Sequence, residues 1–359
     1  MFKVYKKYLI KNFLKKFINL SLIFFTLILI LGILEEITFF EKYQVPFWYP
    51  YFLTFLNSPI TLFEIFPFIF LLSTQFLFYE LSKKGELVFF KIHGLDNFHI
   101  IKILFILSIL IGLFNVIIYY NFASKLQFQY SLIKNNFSDD NKYLAMVTKS
   151  GLWIKDEINE KTLITKSKLI KEKFLIDTLI NEFDKDFKLL RTIQSEKINI
   201  EKSNWIIFEP VITIDNIEKK NKEPVVIETN FNEKKINNFF SNISTLDIKK
   251  LINLIEDYKK IGYSTNEIQL HLLKLFSMPI FYGILTILSA IIMFNINTER
   301  PLIFHIVLGI SSAVIIYYIN FIFNSLASSD LIPIYLSIIF PMLILTIFII
   351  IGLIDINDK

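Results

Sequence analysis

The sequence predicts an α+β membrane protein: six transmembrane helices in a three-plus-three arrangement, with an extracytoplasmic β-jelly-roll-like domain inserted between the halves. Three observations predict it. The 359 residues are 53% hydrophobic and include 39 Phe, and a mean hydropathy of +0.51 is rare for a soluble domain of this size. Six apolar runs are each long enough for a hydrocarbon core of about 30 Å, which takes roughly 20 helical residues. Between the third and fourth runs hydropathy falls, and short β-rich segments take over.

The first run, 17–34 (FINLSLIFFTLILILGIL), is uncharged and follows Lys3, Lys6, Lys7, Lys11, Lys15 and Lys16 with no intervening acid. That bias holds the N-terminus in the cytoplasm. A cleaved signal peptide is the alternative; the long basic region, the missing A-x-A site and the Glu35-Glu36 pair directly after the run disfavour it. The second span covers 59–79, with Glu64 near its outer end and Pro67 one turn further in. The third covers 103–124. Spans four to six follow at 275–298, 301–329 and 331–354. Counting crossings puts the 79–102 turn and the C-terminus inside and the insert outside. The chain thus divides into 1–124, 125–271 and 272–359.

Within the insert, basic and acidic residues nearly balance, and long domains are translocated largely regardless of charge. Runs such as YLAMVTK, GLWIKD, TLITK, FLIDTLI, FKLLRTI, NWIIFE, VITID and PVVIET recur between polar clusters, at the spacing of an all-β sandwich or jelly roll. Trp153 and Trp205 fall inside such runs and read as core. The period then changes. Ser244 or Thr245 can cap a helix carrying Leu246, Ile248, Leu251, Ile252, Leu254 and Ile255 on its apolar face. Gly262 reads as its stop, and Thr265 opens a second helix that continues into span four.

Several chemistries are missing. With no cysteine there is no disulfide, thiolate zinc site or cysteine nucleophile. No G-x-x-x-x-G-K-[ST], H-E-x-x-H or G-x-S-x-G occurs. His93, His99, His271 and His305 are scattered without metal spacing. No catalytic residue, cofactor or metal is expected. The formal charge of +5 is modest, and no nucleic-acid partner is expected. Glu64, Lys274 and His305 lie near span ends, whereas a proton or ion relay needs ionisable groups at mid-depth.

The 79–102 turn, YELSKKGELVFFKIHGLDNFHIIK, is the informative stretch. Leu87, Val88, Phe89 and Ile92 recur at helical spacing, with Glu86 and Lys91 elsewhere on the surface. Gly94 would end the helix in a left-handed cap. A short amphipathic helix over 83–94 is either a solvated turn resting on lipid headgroups or a coupling helix fitting a groove on a cytoplasmic partner. In the second case Glu86 could fix orientation by pairing with an Arg or Lys.

This segment, ELVFFKIHGLDNFHI (86–100), resembles the E-L-x-x-x-x-x-x-G signature between the second and third spans of the LptF/LptG permease family. FEIFPFIFLLS (63–73) is similar to that family's second span with its proline. GLWIKD (151–156), carrying Gly151, Leu152 and Trp153, looks like the opening of the periplasmic domain on the LptG side. LLKLFSMPIFYGILTILSAIIMF (272–294) resembles the fourth span, with Lys274 and Pro279.

The resemblance implies a permease subunit of an ABC transporter. That transporter extracts lipopolysaccharide from the inner membrane and passes it to a periplasmic bridge toward the outer membrane. Implied partners are a cytoplasmic ATPase dimer of the LptB type, a paralogous LptF-type permease and periplasmic jelly-roll proteins of the LptC/LptA type. ATP hydrolysis would lie in the separate ATPase. The coupling helix would present Glu86, Leu87, Val88, Phe89 and Gly94 to it. Spans one and five would line the lipid cavity, with Ser311, Tyr317 and Asn320 the polar candidates; helix packing is an equal explanation for those three. One departure is that Glu35-Glu36 occupies the outer end of span one, where members of the family can carry a basic residue. Two other readings stay open: an ABC membrane subunit that transmits force to a periplasmic domain without carrying substrate, and a membrane-anchored periplasmic binding module. Four spans would be more usual for the first, and the second predicts an appended signalling domain.

Overall fold

The computed structural model describes residues 2–135, 137, 152–158, 161–171, 173–214, 217–233, 236, 243–260, 265–295, 301–329 and 331–357. The YLAMVTK strand expected near 143–149, Gly151 and Gly262 lie outside the described residues. The chain divides into two compact units, one of Met1–Gln127 with Asn266–Lys359, the other of Phe128–Thr265.

The first unit is helical because a chain in hydrocarbon must satisfy every backbone N–H and C=O internally. Its helices are α1 (Phe2–Phe40), α2 (Tyr49–Lys83), the short α3 (Glu86–Ile92) and α4 (Asn97–Phe114). A π-helical turn (Asn115–Tyr119) continues α4 into α5 (Tyr120–Asn135), whose residues from Phe128 onward belong to the second unit. After the insert come α7 (Asn266–Asn295), α8 (Leu302–Ser328) and α9 (Ile334–Asn357); α6 (Ile248–Lys260) belongs to the second unit. Among the described residues six helical segments are long and apolar enough to cross a membrane, in the expected three-plus-three order. They run further than the uncharged stretches: α2 starts ten residues before residue 59, and the third segment extends over Asn97–Lys134. Charged and aromatic residues can occupy the ends of a helix that projects beyond the hydrocarbon, so hydropathy alone understates its length.

α2 and α7 form the centre, each with 67% of its most apolar stretch buried, against 11% for α1 and α8. Phe70 joins three helices: its ring lies 4.8 Å from Phe17 of α1 and 4.5 Å, stacked, from Tyr282 of α7. Where α4 crosses α7 the backbones come close. A Cβ on Gly112 would sit 2.7 Å from Pro279 Cα, and one on Gly283 would sit 2.6 Å from the Phe105 ring. Small residues permit this approach, and a buried polar contact reinforces it: the Ser108 and Thr286 hydroxyls pair at 2.8 Å. Ser289 ties α7 to α2 by donating to the Leu71 carbonyl.

The second unit holds an antiparallel sheet inserted between the third and fourth crossing segments. Its strands are β1 (Leu152–Ile158), β2 (Lys161–Lys171), β3 (Phe174–Phe183), β4 (Leu189–Asn199), β5 (Asn204–Phe208), β6 (Val211–Ile214), β7 (Ile217–Lys220) and β8 (Val225–Glu228). They pair in the order β1-β2-β3-β4-β5-β8, and β6 also pairs with β4 and carries β7. The sheet branches because β4 changes partner at Ser195: Thr192–Gln194 face β6, and Lys197–Asn199 face β5. Ser195 Oγ fills the gap in the ladder, donating to the Phe208 carbonyl at 2.6 Å.

One face of the sheet is buried. Ile154, Thr165, Ile180 and Ile193 lie in register across four strands, all on that face. The period of two explains a correction to the sequence reading. Trp205 is buried, at 1% exposure, and its Nε1–H donates to the Phe231 carbonyl at 2.8 Å. Trp153 alternates with the inward Leu152 and Ile154, so it turns outward and is 47% exposed, beneath the Lys166 ammonium. It is not core. The α6 cap also differs. Residues Ile243–Thr245 form a 3-10 turn, and Asp247 takes the cap, its carboxylate accepting the Lys250 N–H. An aspartate serves there as well as a serine or threonine.

A buried carboxylate, Glu182, sits on the inner face of β3. Lys161 donates to one oxygen and Arg191 to the other. Burial alone would raise its pKa, but these two cations outweigh it and hold the group below its ordinary 4.5. The folded pKa is therefore depressed, so the contribution to stability is complete above about pH 5 and lost as pH falls through the folded value. Glu182→Gln is expected to destabilise the sheet by about 1–2 kcal/mol at pH 7, because both cationic partners retain some access to water. The difference from the parent chain should shrink below about pH 4. Hydrogen exchange of the β3 and β4 amides in the full chain at the two pH values checks it; an equal loss at both removes the ion pairs as its cause.

Candidate functional site: the α2–α4 elbow

The elbow is built by two glycines and an aspartate. Gly85 (φ +71) ends α2 and Gly94 (φ +81) ends α3, both in the left-handed region that favours glycine. After α3 the Gly94 N–H donates to the Lys91 carbonyl and the Leu95 N–H to Phe90, the two bonds of a Schellman motif. Phe90 and Leu95 are both buried, supplying its apolar contact. Asp96 then caps α4, accepting the His99 N–H at 3.0 Å and the ring Nδ1. Those contacts from His99, its side chain first, hold the Asp96 carboxyl below the ordinary range.

Two contacts tie the elbow to α1. Tyr8 Oη lies 2.9 and 2.8 Å from the two carboxylate oxygens of Glu86 and donates to that group. Lys16 pairs with Glu80 of α2, which also receives Lys84 at 2.6 Å. With Phe90 turned inward, α3 presents Val88, Phe89 and Ile92 outward, 60%, 56% and 77% exposed. Leu87 is half-buried. The five residues expected on a coupling helix therefore divide: Val88 and Phe89 face out, Leu87 is partly covered, Glu86 is held by Tyr8, and Gly94 shapes the backbone. Ile92, on the outward face, completes the apolar patch. The Tyr8–Glu86 contact spans 78 positions, and no local pattern signals it.

The other expected site residues do not converge. Ser311 and Tyr317 are exposed on α8, and Asn320 is half-buried with its amide donating to the Ile316 carbonyl. At about 100° per residue, Ser311 and Asn320 stand on opposite sides of the helix. Tyr317 and Tyr318 join Val314, Ile315 and Phe321 in an exposed, mainly apolar surface. Leu152 points into the sheet core and Trp153 away from it. Glu64 of α2 and Lys274 of α7 lie within coulombic reach of each other. Among the described residues no group of three or more metal-ligating side chains occurs.

A family model described as lipopolysaccharide export system permease LptF/LptG matches residues 7–355. No curated protein matches the chain.

Proposed function

The chain belongs to the LptF/LptG family of lipopolysaccharide export permeases, and on that premise we propose that it is the LptG-type permease of an ABC transporter. In this reading the basic N-terminus, α3 and the C-terminus lie in the cytoplasm and the sheet in the periplasm. The 125–271 insert then acts as a periplasmic domain between membrane halves 1–124 and 272–359. α3 docks in one subunit of an LptB-type ATPase dimer. An LptF-type permease completes the membrane pair, and LptC/LptA-type jelly-roll proteins receive the lipid.

The observation that carries the reading is the outward apolar face of α3, Val88, Phe89 and Ile92, presented on an elbow whose backbone two left-handed glycines define. Such a patch is a partner surface in the helix-in-groove manner. The chemistry demands an outside engine. Each buried CH₂ contributes about 0.8 kcal/mol, so a lipid with several acyl chains is held in the bilayer by tens of kcal/mol. The exposed apolar surfaces of α1 and α8 suit a wall that meets lipid or a second permease.

Affinity isolation of the intact membrane complex tests this. An ATPase dimer and a second permease are expected, and a photoreactive acyl chain on lipopolysaccharide should crosslink to the sheet when ATP is supplied. Recovery without an ATPase overturns the reading; an ATPase without sheet crosslinks turns it into a force transmitter that carries no lipid.

A further inference from the structure

Near the end of α2 that leads into α3, a cavity of about 640 Å³ opens between α1 and α2. We propose that it binds the headgroup of an anionic phospholipid, a phosphate carried on acyl chains, from the leaflet on the α3 side of the membrane. Three features carry this assignment.

The first is charge. Lys16, Lys83 and Lys84 surround the cavity against a single carboxylate, Glu80. Glu80 already fixes Lys16 and Lys84 by direct pairing, so their ammonium groups are placed before any ligand arrives. Lys83 lies 6.0 Å from the centroid of the Tyr79 ring. Three cations against one anion leave a formal surplus of two positive charges, which a phosphate diester would reduce. The Asn19 amide, nearly one turn further along α1 than Lys16, adds a donor.

The second is the ordering of polarity. The remaining lining side chains, Leu20, Ile23 and Phe76, are apolar. Ile23 lies two turns from Lys16 along α1, about 10 Å further toward the middle of the span, and Phe76 one turn deeper than Glu80 on the antiparallel α2. The cavity therefore runs from a cationic mouth to an apolar floor that is open at its far end, where Ile23 is 55% exposed, the same order as headgroup and chain in a lipid.

The third is place. The cavity stands where α2 leaves its membrane span, which ends at Lys83. Basic pockets between helices at this level are suited to acidic lipid headgroups, and each basic residue near an anionic surface contributes about 1 kcal/mol. A soluble phosphate would satisfy the mouth but have no use for the floor.

Which leaflet is cytoplasmic follows from the orientation proposed above; the chemistry of the pocket does not. The test uses the full chain, purified in its membrane complex and exchanged into nanodiscs of phosphatidylcholine containing one part in ten phosphatidylglycerol. Native mass spectrometry is expected to show phosphatidylglycerol retained in preference to phosphatidylcholine. Removing two cations together (Lys83→Gln with Lys84→Gln) should weaken retention about 30-fold. Ile23→Trp keeps every charge but fills the floor, and should also lose the lipid. Equal retention of both lipids, or retention unchanged in both variants, overturns the site. Displacement by inorganic phosphate together with an unaffected Ile23→Trp assigns a free anion instead and overturns the lipid. Labelling that placed residue 83 in the periplasm would defeat the proposed orientation while leaving lipid retention unchanged.

Discussion

Phe89→Asp is expected to abolish recovery of the ATPase with the permease while leaving membrane insertion intact. The side chain is 56% exposed between Val88 and Ile92, so the substitution creates no cavity in the chain itself, and its effect on stability should be within about 0.5 kcal/mol. A buried aromatic anchor at a partner surface contributes far more, about 2–4 kcal/mol on truncation, which is roughly 30- to 1,000-fold in affinity. A carboxylate driven into the same apolar groove should reach the upper end. Glu86→Lys is expected to act in the same direction by a second route, since it loses the Tyr8 hydroxyl contact and reverses the charge. Tyr8→Phe separates the two effects, removing the contact and keeping the charge. Co-purification of the ATPase in normal yield with Phe89→Asp would exclude α3 as the docking element.

The sequence carries the membrane half of the architecture plainly because hydrocarbon enforces one solution, the helix, over a length that hydropathy reports. The elbow was legible for a related reason. Gly94 sits where an amphipathic run must stop, and its φ of +81 is the conformation that favours glycine. What could not be read are contacts made by packing between distant segments. Tyr8 holding Glu86 and Lys16 holding Glu80 join α1 to α2 and α3 across more than sixty positions, and neither leaves a periodic trace. The sheet was legible in its strands and less so in its faces. A run such as GLWIKD admits either phase of the two-residue alternation, and only pairing with Lys161–Lys171 sets Leu152 inward and Trp153 outward. Ser311, Tyr317 and Asn320 illustrate a further gap: polar character within a span marks residues as notable, but helical geometry sets Ser311 opposite Asn320.

The two tryptophans of the sheet should therefore respond very differently to truncation. Trp205→Ala removes a side chain that is 1% exposed and leaves the Phe231 carbonyl without its Nε1–H donor. Loss of packing from a buried tryptophan costs about 3–5 kcal/mol, and the lost Nε1–H bond adds little to it because the Phe231 carbonyl still accepts from the Thr229 hydroxyl at 2.8 Å. Because Trp205 lies opposite Ile227 in the β5–β8 ladder, the first amides to lose hydrogen-exchange protection should be those of β5 and β8. Trp153→Ala removes a half-exposed ring packed under one lysine, an effect of about 1 kcal/mol at most. If the sheet carries the lipid and α3 carries the engine, Trp205→Ala should stop lipid transfer while the ATPase still binds, the mirror image of Phe89→Asp. Equal loss of protection in the two tryptophan variants would contradict the assignment of faces. Transfer that survives Trp205→Ala after β5 and β8 have lost protection would take the sheet out of the lipid's path.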